Sequence, residues 1–248
     1  MKNTKVGPTN GQLKFNNGLK DGLPIGLGYL SVSFAFGVQA SLAGIPLFMS
    51  VFISMTNLTS AGQLAGLTVI AALGSILEII LTQLIINSRY FLMSITLSQK
   101  LDSSFTFGHR LLCSAFVTDE IFAVASSKSK SFGRKYFYGL VILPYVGWSL
   151  GTLLGAAAGS VLPPSVTNAL GIALYAMFIA IIIPPSMKEI SIFFTVIFAT
   201  AISCALYYVP CFKVIPTGVC IIISALLTSA LMAFIKPIKE EVEENAST

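Results

Sequence analysis

Charge is what this chain of 248 residues has least of: Asp, Glu, Lys and Arg together make up 10% of it, against about 25% in an average soluble domain. Beside 55% hydrophobic residues and a mean hydropathy of +0.85, that leaves too little polar surface for a water-soluble fold. There is one histidine, His109, and the cysteines Cys113, Cys204, Cys211 and Cys220 show no CxxC spacing; the thiols are expected to pack, and no metal is expected. HExxH, GxSxG and a phosphate-binding P-loop are all missing, which argues against the common zinc-protease and serine-hydrolase classes and against ATP as a direct energy source. Neither an enzyme nor a cofactor is therefore expected. The net charge of +5 does not call for nucleic acid, because the basic residues flank apolar runs, where anionic lipid headgroups account for them. The first 23 residues carry Lys2, Lys5, Lys14 and Lys20 without a short apolar run before a small-residue site, unlike a cleaved signal peptide.

What the chain does have is apolar length. Runs at 24–44, 64–87, 137–160, 168–185, 190–209 and 216–235 are of the ~20 residues a helix needs to cross hydrocarbon. The shorter stretches 46–57 and 111–126 read as re-entrant or broken half-helices. The fold class expected is an all-α integral membrane protein with about six transmembrane helices and two half-helices, with an inverted repeat as one arrangement. Its expected organisation is a cytoplasmic segment 1–23, a transmembrane domain 24–235 and a charged cytoplasmic tail 236–248. Positive charge sets the orientation. Arg89, Lys100, Arg110, Lys128, Lys130, Arg134 and Lys135 share the side of the N-terminal lysines, and only Lys213 falls among the opposite loops, so both termini are expected in the cytoplasm.

Polarity inside such a chain marks function by default. Thr56-Asn57-Leu58-Thr59-Ser60-Ala61-Gly62-Gln63 reads as a break where Gly62 lets the helix end, a new helix starts near Ser60, and Thr59, Ser60 and Gln63 face a solute; the alternative is an ordinary outer loop. Glu78, expected near mid-span, is either a proton-coupling carboxyl or a helix–helix hydrogen-bonding group. Asn87, Arg89 and Tyr90 are either a pathway lining, with Gln83, Asn87 and Tyr90 on one helical face, or an interfacial anchor. Asp119 and Glu120 are adjacent acids in an apolar setting, so one should carry a proton or pair with Arg89 or Arg110, unless the segment lies at the interface in water. Gly147, Gly151, Gly155 and Gly159 form a ladder of small residues suited to close helix packing, or to a second subunit in a homo- or hetero-oligomer.

Taken in order, LPIGLGYLSVSFAFGVQASLAG (23–44), TSAGQ (59–63), INSRYFLMSITLSQKL (86–101) and TDEIFAV (118–124) resemble the AzlC family of branched-chain amino acid exporters. The resemblance spans nearly the whole chain. Ser88 stands where the family usually has leucine, and Gln63 directly follows Gly62. The resemblance implies secondary export of leucine, isoleucine or valine across the cytoplasmic membrane, together with a small AzlD-type membrane subunit. A zwitterion needs a carboxylate site, an ammonium site and an apolar pocket. Helix-end amides near Ser60 or Arg89 suit the first, Asp119 or Glu120 the second, and Phe34, Phe36, Phe116 or Phe122 the third. A proton gradient suits Glu78, Asp119 and Glu120 better than sodium as the energy source. A channel and a membrane scaffold or assembly subunit are the competing classes.

Overall fold

The computed structural model describes residues 14–128, 131–159 and 161–236; Lys2, Lys5, Lys130 and the charged tail from 237 lie outside them. Ten α-helices follow one another among the described residues: α1 Phe15–Leu42, α2 Leu47–Thr56, α3 Ser60–Ala71, α4 Ile76–Ser98, α5 Phe107–Ser114, α6 Asp119–Ser126, α7 Arg134–Ala158, α8 Pro164–Lys188, α9 Ile190–Tyr208 and α10 Thr217–Ile235, with a 3-10 turn at Pro210–Phe212. Helices dominate because a bilayer offers no partner for an exposed N–H or C=O, and a helix satisfies its own. Five of the described helices, α1, α4, α7, α9 and α10, are long and apolar enough to cross a membrane. The fold is that of an all-α membrane protein.

Three expectations from the sequence give way. The run 64–87 is not one span. It is interrupted by a turn at 72–75, where Leu73 takes a positive φ of 57°, so α3 ends and α4 begins inside it. Glu78 consequently sits in the first turn of α4 rather than at mid-span. Residues 15–23, expected in the polar N-terminal segment, are already α1, whose start is held by Asn17 Oδ1 accepting the Lys14 backbone N–H at 3.0 Å. The stretch 111–126, by contrast, is broken as its length suggests, into the short helices α5 and α6 on either side of a turn at 115–118.

The chain forms two compact units, Met1–Leu67 with Ile86–Tyr175 and Thr68–Ile85 with Ala176–Thr248. In the first, α1 and α7 run side by side in the same direction, since Gly26, Leu30, Phe34 and Ser41 meet Gly147, Gly151, Gly155 and Gly159 in that order. A Cβ on Gly147 would run into the Gly26 carbonyl and one on Gly155 into the Phe34 carbonyl, so the glycines set a backbone-to-backbone approach that no side chain permits. Pro144, inside α7, withdraws the amide that would bond the Leu140 carbonyl, and that carbonyl faces Gly22 of α1. The glycine ladder read from the sequence is thus an internal seam of the first unit.

Around the N-terminal half of α7 a core of Phe105, Ile121, Phe132, Tyr136, Phe137 and Leu140 holds α5 and α6 in place. Polar ties close that end. Asp21 pairs with Lys128 at 2.7 Å and accepts from the Tyr136 hydroxyl at 2.7 Å. The Lys100 ammonium donates to the carbonyls of Ser126 and Lys128 just past the end of α6. Arg134 of α7 and His109 of α5 are joined at 2.6 Å, and the other ring nitrogen of His109 bonds the Tyr138 hydroxyl at 2.8 Å. In the second unit α9 buries no residue at all, as suits a helix whose apolar side chains face lipid, and Ser203 of α9 donates to Ser224 of α10 at 3.0 Å. All four cysteines are free thiols.

The glycine seam is testable by enlargement. Gly155→Leu is expected to lower stability by about 3 kcal/mol through overpacking, read as the thermal midpoint in detergent. Gly28→Leu, at an α1 position with nothing within 4 Å of the added Cβ, should leave that midpoint close to wild type.

Candidate functional site

Two helix breaks of the first unit supply the polar residues. At the first, α2 stops at Thr56, residues 57–59 leave the helix, and α3 starts at Ser60. Thr59 donates its hydroxyl to Asn57 Oδ1 at 2.6 Å, and its carbonyl accepts the Gln63 N–H at 2.8 Å. At the second, Thr118 caps α6, its hydroxyl accepting the Ile121 N–H at 3.4 Å, and Asp119 and Glu120 form the first turn. Both acids therefore stand at the positive end of a helix, which favours their charge without any distant partner.

The acids have partners nonetheless, and different ones. Arg89 of α4 pairs with Asp119 at 2.9 Å, with both side chains partly open to solvent at 42% and 32%. The same guanidinium donates to the Tyr90 hydroxyl at 3.2 Å and lies 5.0 Å from that ring's centroid, while Arg89 Nε is buried with no hydrogen-bond partner. Glu120 instead accepts from the hydroxyl of Tyr29, on α1, at 2.5 Å, and that hydroxyl lies 2.7 Å from Thr118 Oγ1. Of the two arginines considered as partners from the sequence, only Arg89 reaches the acids; Arg110 lines a small apolar cavity with Leu97, Phe105 and Phe137.

Tyr29 carries the network across to the first break. Its ring meets Trp148 of α7 edge-on at 5.0 Å between centroids, and Leu58 fills the space beside them. The Trp148 indole N–H donates to Gln63 Oε1 at 2.9 Å, the Gln63 amide N–H donates to Ser54 Oγ at 2.5 Å, and Ser54 bonds Thr152 at 2.7 Å. Gln63, expected to face a solute, is 1% exposed and makes its bonds within the protein. Gly62 is not where the helix ends: it lies inside α3, and a Cβ there would come within 2.7 Å of the Asn87 amide and 2.6 Å of Thr59 Oγ1. Its bareness lets Asn87 approach. Ser60, half-buried, opens α3.

The predicted residues thus gather in groups: Arg89, Tyr90 and Asp119; Glu120; Thr59, Gly62 and Asn87; and Gln63. Of the four phenylalanines considered for an apolar pocket, Phe116 packs beside Tyr29 and Trp148, whereas Phe36 belongs to a cluster with Ala40 and Leu67, and Phe122 packs on the α7 core. Tyr29, Ser54, Trp148 and Thr152 escaped the sequence reading, although Trp148 is the only tryptophan of the chain. Glu78 belongs to the second unit, where its Oε1 accepts the Gly218 N–H of α10 at 2.6 Å. A wide cleft lined by Tyr207, Phe212, Lys213 and Cys220 holds none of the predicted residues; its mainly apolar walls fit a packing gap between α9 and α10. Among the described residues no three His, Cys, Asp or Glu side chains come together as metal ligands.

Five long apolar helices, with two pairs of shorter helices broken at 57–59 and 115–118, define an all-α membrane protein in which Asp119, Glu120 and the Arg89–Asp119 ion pair gather at the second break. The chain belongs to the AzlC family: the family model described as AzlC protein matches residues 24–162, which include both breaks, Arg89 and Trp148. It is 29% identical to the inner membrane protein YgaZ of Escherichia coli K12 over 92% of its length and 94% of that protein's, and 32% identical to an uncharacterized membrane protein of Archaeoglobus fulgidus over 68% of its length and 75% of that protein's. A further uncharacterized membrane protein, from Helicobacter pylori 26695, is 24% identical over 59% of this chain and 67% of that one. No solved structure matches the chain.

The aromatic bridge has a measurable weight. Trp148→Phe keeps the ring contact but strands Gln63 Oε1, and should cost about 1–3 kcal/mol; Tyr29→Phe, which frees Glu120 and Thr118, should cost about as much. Both are read as thermal midpoints against wild type.

Proposed function

We infer that the chain is a secondary transporter that exports branched-chain or similar neutral amino acids across the cytoplasmic membrane, driven by protons and working with a small AzlD-type membrane subunit. The observation that carries this reading is the Arg89–Asp119 pair: opposite charges 2.9 Å apart, both partly open to solvent. A free amino acid is itself such a pair. Its carboxylate can take the place of Asp119 on the Arg89 fork, which binds a carboxylate at two points and has its Nε still unpartnered. The ammonium then falls to Asp119, with Glu120 next to it in the same helical turn. Exchanging an internal ion pair for a bound zwitterion leaves the net charge of the site unchanged, so neither the empty nor the loaded carrier buries an unbalanced charge. Phe116, packed beside Tyr29 and Trp148, offers an apolar surface for an aliphatic side chain.

A cytoplasmic N-terminus, on the same side as the basic segment before α7, draws support from the parallel α1 and α7. Lys14 and Lys20 lie at the start of the one, and Arg134 and Lys135 at the start of the other, so parallel helices set both basic ends toward the same face.

Cells fed leucine-containing dipeptides and expressing the chain with an AzlD-type subunit should release leucine faster than cells lacking the pair. Unchanged release would sink the assignment. Asp119→Asn and Glu120→Gln should each slow that release by at least about tenfold, as expected when one partner of a hydrogen-bonded charge pair is truncated. Wild-type export from both variants would remove these acids from the substrate site. Arg89→Lys should raise the leucine concentration needed for half-maximal export, because an ammonium cannot grip a carboxylate at two points.

A further inference from the structure

Of the candidate site acids Glu78, Asp119 and Glu120, Glu78 is the one that the substrate reading leaves without a task. Ser75-Ile-Leu-Glu78 has the spacing of a helix capping box, and half of that box forms: the Glu78 backbone N–H donates to Ser75 Oγ at 3.2 Å. The Glu78 side chain does not turn back to complete it. It crosses instead to α10 and takes the Gly218 N–H at 2.6 Å, in that helix's first turn. Bare glycines flank the carboxylate on both sides: a Cβ on Gly218 would lie 2.7 Å from Oε1 and one on Gly74 would lie 2.8 Å from Oε2, so a side chain at either position would displace it. The group is 7% exposed. Thr82, one turn further along α4, is fully buried, its hydroxyl has no hydrogen-bond partner, and it borders the same spot, 2.9 Å from where a Gly218 Cβ would be.

We propose that Glu78 is the proton-binding residue of the transporter, and that the N-terminal turn of α10 is the element its proton releases. As a carboxylate, Glu78 holds the Gly218 amide through a charge-assisted bond that the positive end of α10 strengthens. A proton added from water to the carboxylate neutralises it and removes both attractions. The O–H so formed needs an acceptor, and the unpartnered Thr82 hydroxyl beside it is one. Proton and helix end therefore compete for the same carboxylate, which gives one site two arrangements. Among the described residues the ion pairs, Arg89–Asp119 and Lys128–Asp21, do not include Glu78. The titratable groups of α10 and the segment leading into it are Cys211, Lys213 and Cys220. Of these, Lys213 is exposed, and Cys220 bonds the Ile215 carbonyl.

The proposal rests on the transport reading, and two assays separate them. Exchange of labelled for unlabelled leucine in vesicles without a pH gradient needs only the substrate site; accumulation driven by an imposed pH gradient also needs the proton site. Glu78→Gln keeps an acceptor for the Gly218 amide but cannot release a proton, so exchange should persist and driven accumulation should be lost. Driven accumulation at the wild-type level in Glu78→Gln overturns the proposal, whereas wild-type protein that fails at exchange overturns the substrate reading instead. A third measurement needs no substrate and keeps Glu78 itself. Spin labels on Leu73→Cys and Val214→Cys, positions 94% and 89% exposed in a background lacking the native cysteines, should report a separation that changes as the protein is acidified. A separation independent of pH in protein that retains Glu78 overturns the proposal.

Discussion

The contact between α1 and α7 is made backbone to backbone, and the rest of the first unit hangs from it. In lipid there is little hydrophobic gain from pressing two apolar helices together, so the seam is held by dispersion between closely matched surfaces and by weak contacts of glycine Cα–H groups with opposing carbonyls. Glycines on both helices are what permit that distance. The approach fixes Tyr29 on one helix against Trp148 on the other. Each of these aromatics then spends its polar tip on a different broken helix, the indole N–H on Gln63 of α3 and the phenol O–H on Glu120 of α6. Two helix breaks that are far apart in sequence are thereby held by one rigid pair.

The acids obey a common rule. Asp119 and Glu120 open α6 and Glu78 opens α4, so each lies where a helix dipole lowers the cost of carrying negative charge in a poorly solvated place. They differ in what they face. Asp119 meets an arginine, Glu120 a tyrosine, and Glu78 a backbone amide of another helix. A carboxylate opposite a permanent cation suits recognition of a zwitterion, and one opposite a helix end suits switching. Three residues that look equivalent by hydropathy thus acquire separate surroundings from their partners.

How far the sequence could be read depended on the kind of signal. The membrane class, the polar breaks and the need for an arginine, Arg89 or Arg110, near the acids were legible because charge is costly in hydrocarbon and stands out in a chain that has so little. The turn at 72–75 was hidden, since Ala72 and Leu73 are as apolar as their neighbours and a hydropathy window averages across them; the Ser75-x-x-Glu78 spacing was the local signal that a helix starts there. Gly62 was assigned to ending a helix because glycine is permissive of turns, when its use is the absence of a side chain opposite Asn87. Tyr29 and Trp148 went unnoticed because hydropathy counts an aromatic ring as core and is blind to the hydrogen bond at its edge.

By itself, the sequence determined the solvent of this protein, the helical content that this solvent demands, and the positions where polarity interrupts it, for these follow from composition and local periodicity. Family membership also lay in its ordered motifs. Tertiary structure alone decided which acid meets which partner. It chose Arg89 over Arg110 for Asp119, turned Gln63 inward, and sent Glu78 to the end of α10. Such choices depend on which helix ends come to lie side by side, and that is set by packing between segments as distant as Tyr29 and Trp148, on which local sequence carries no information.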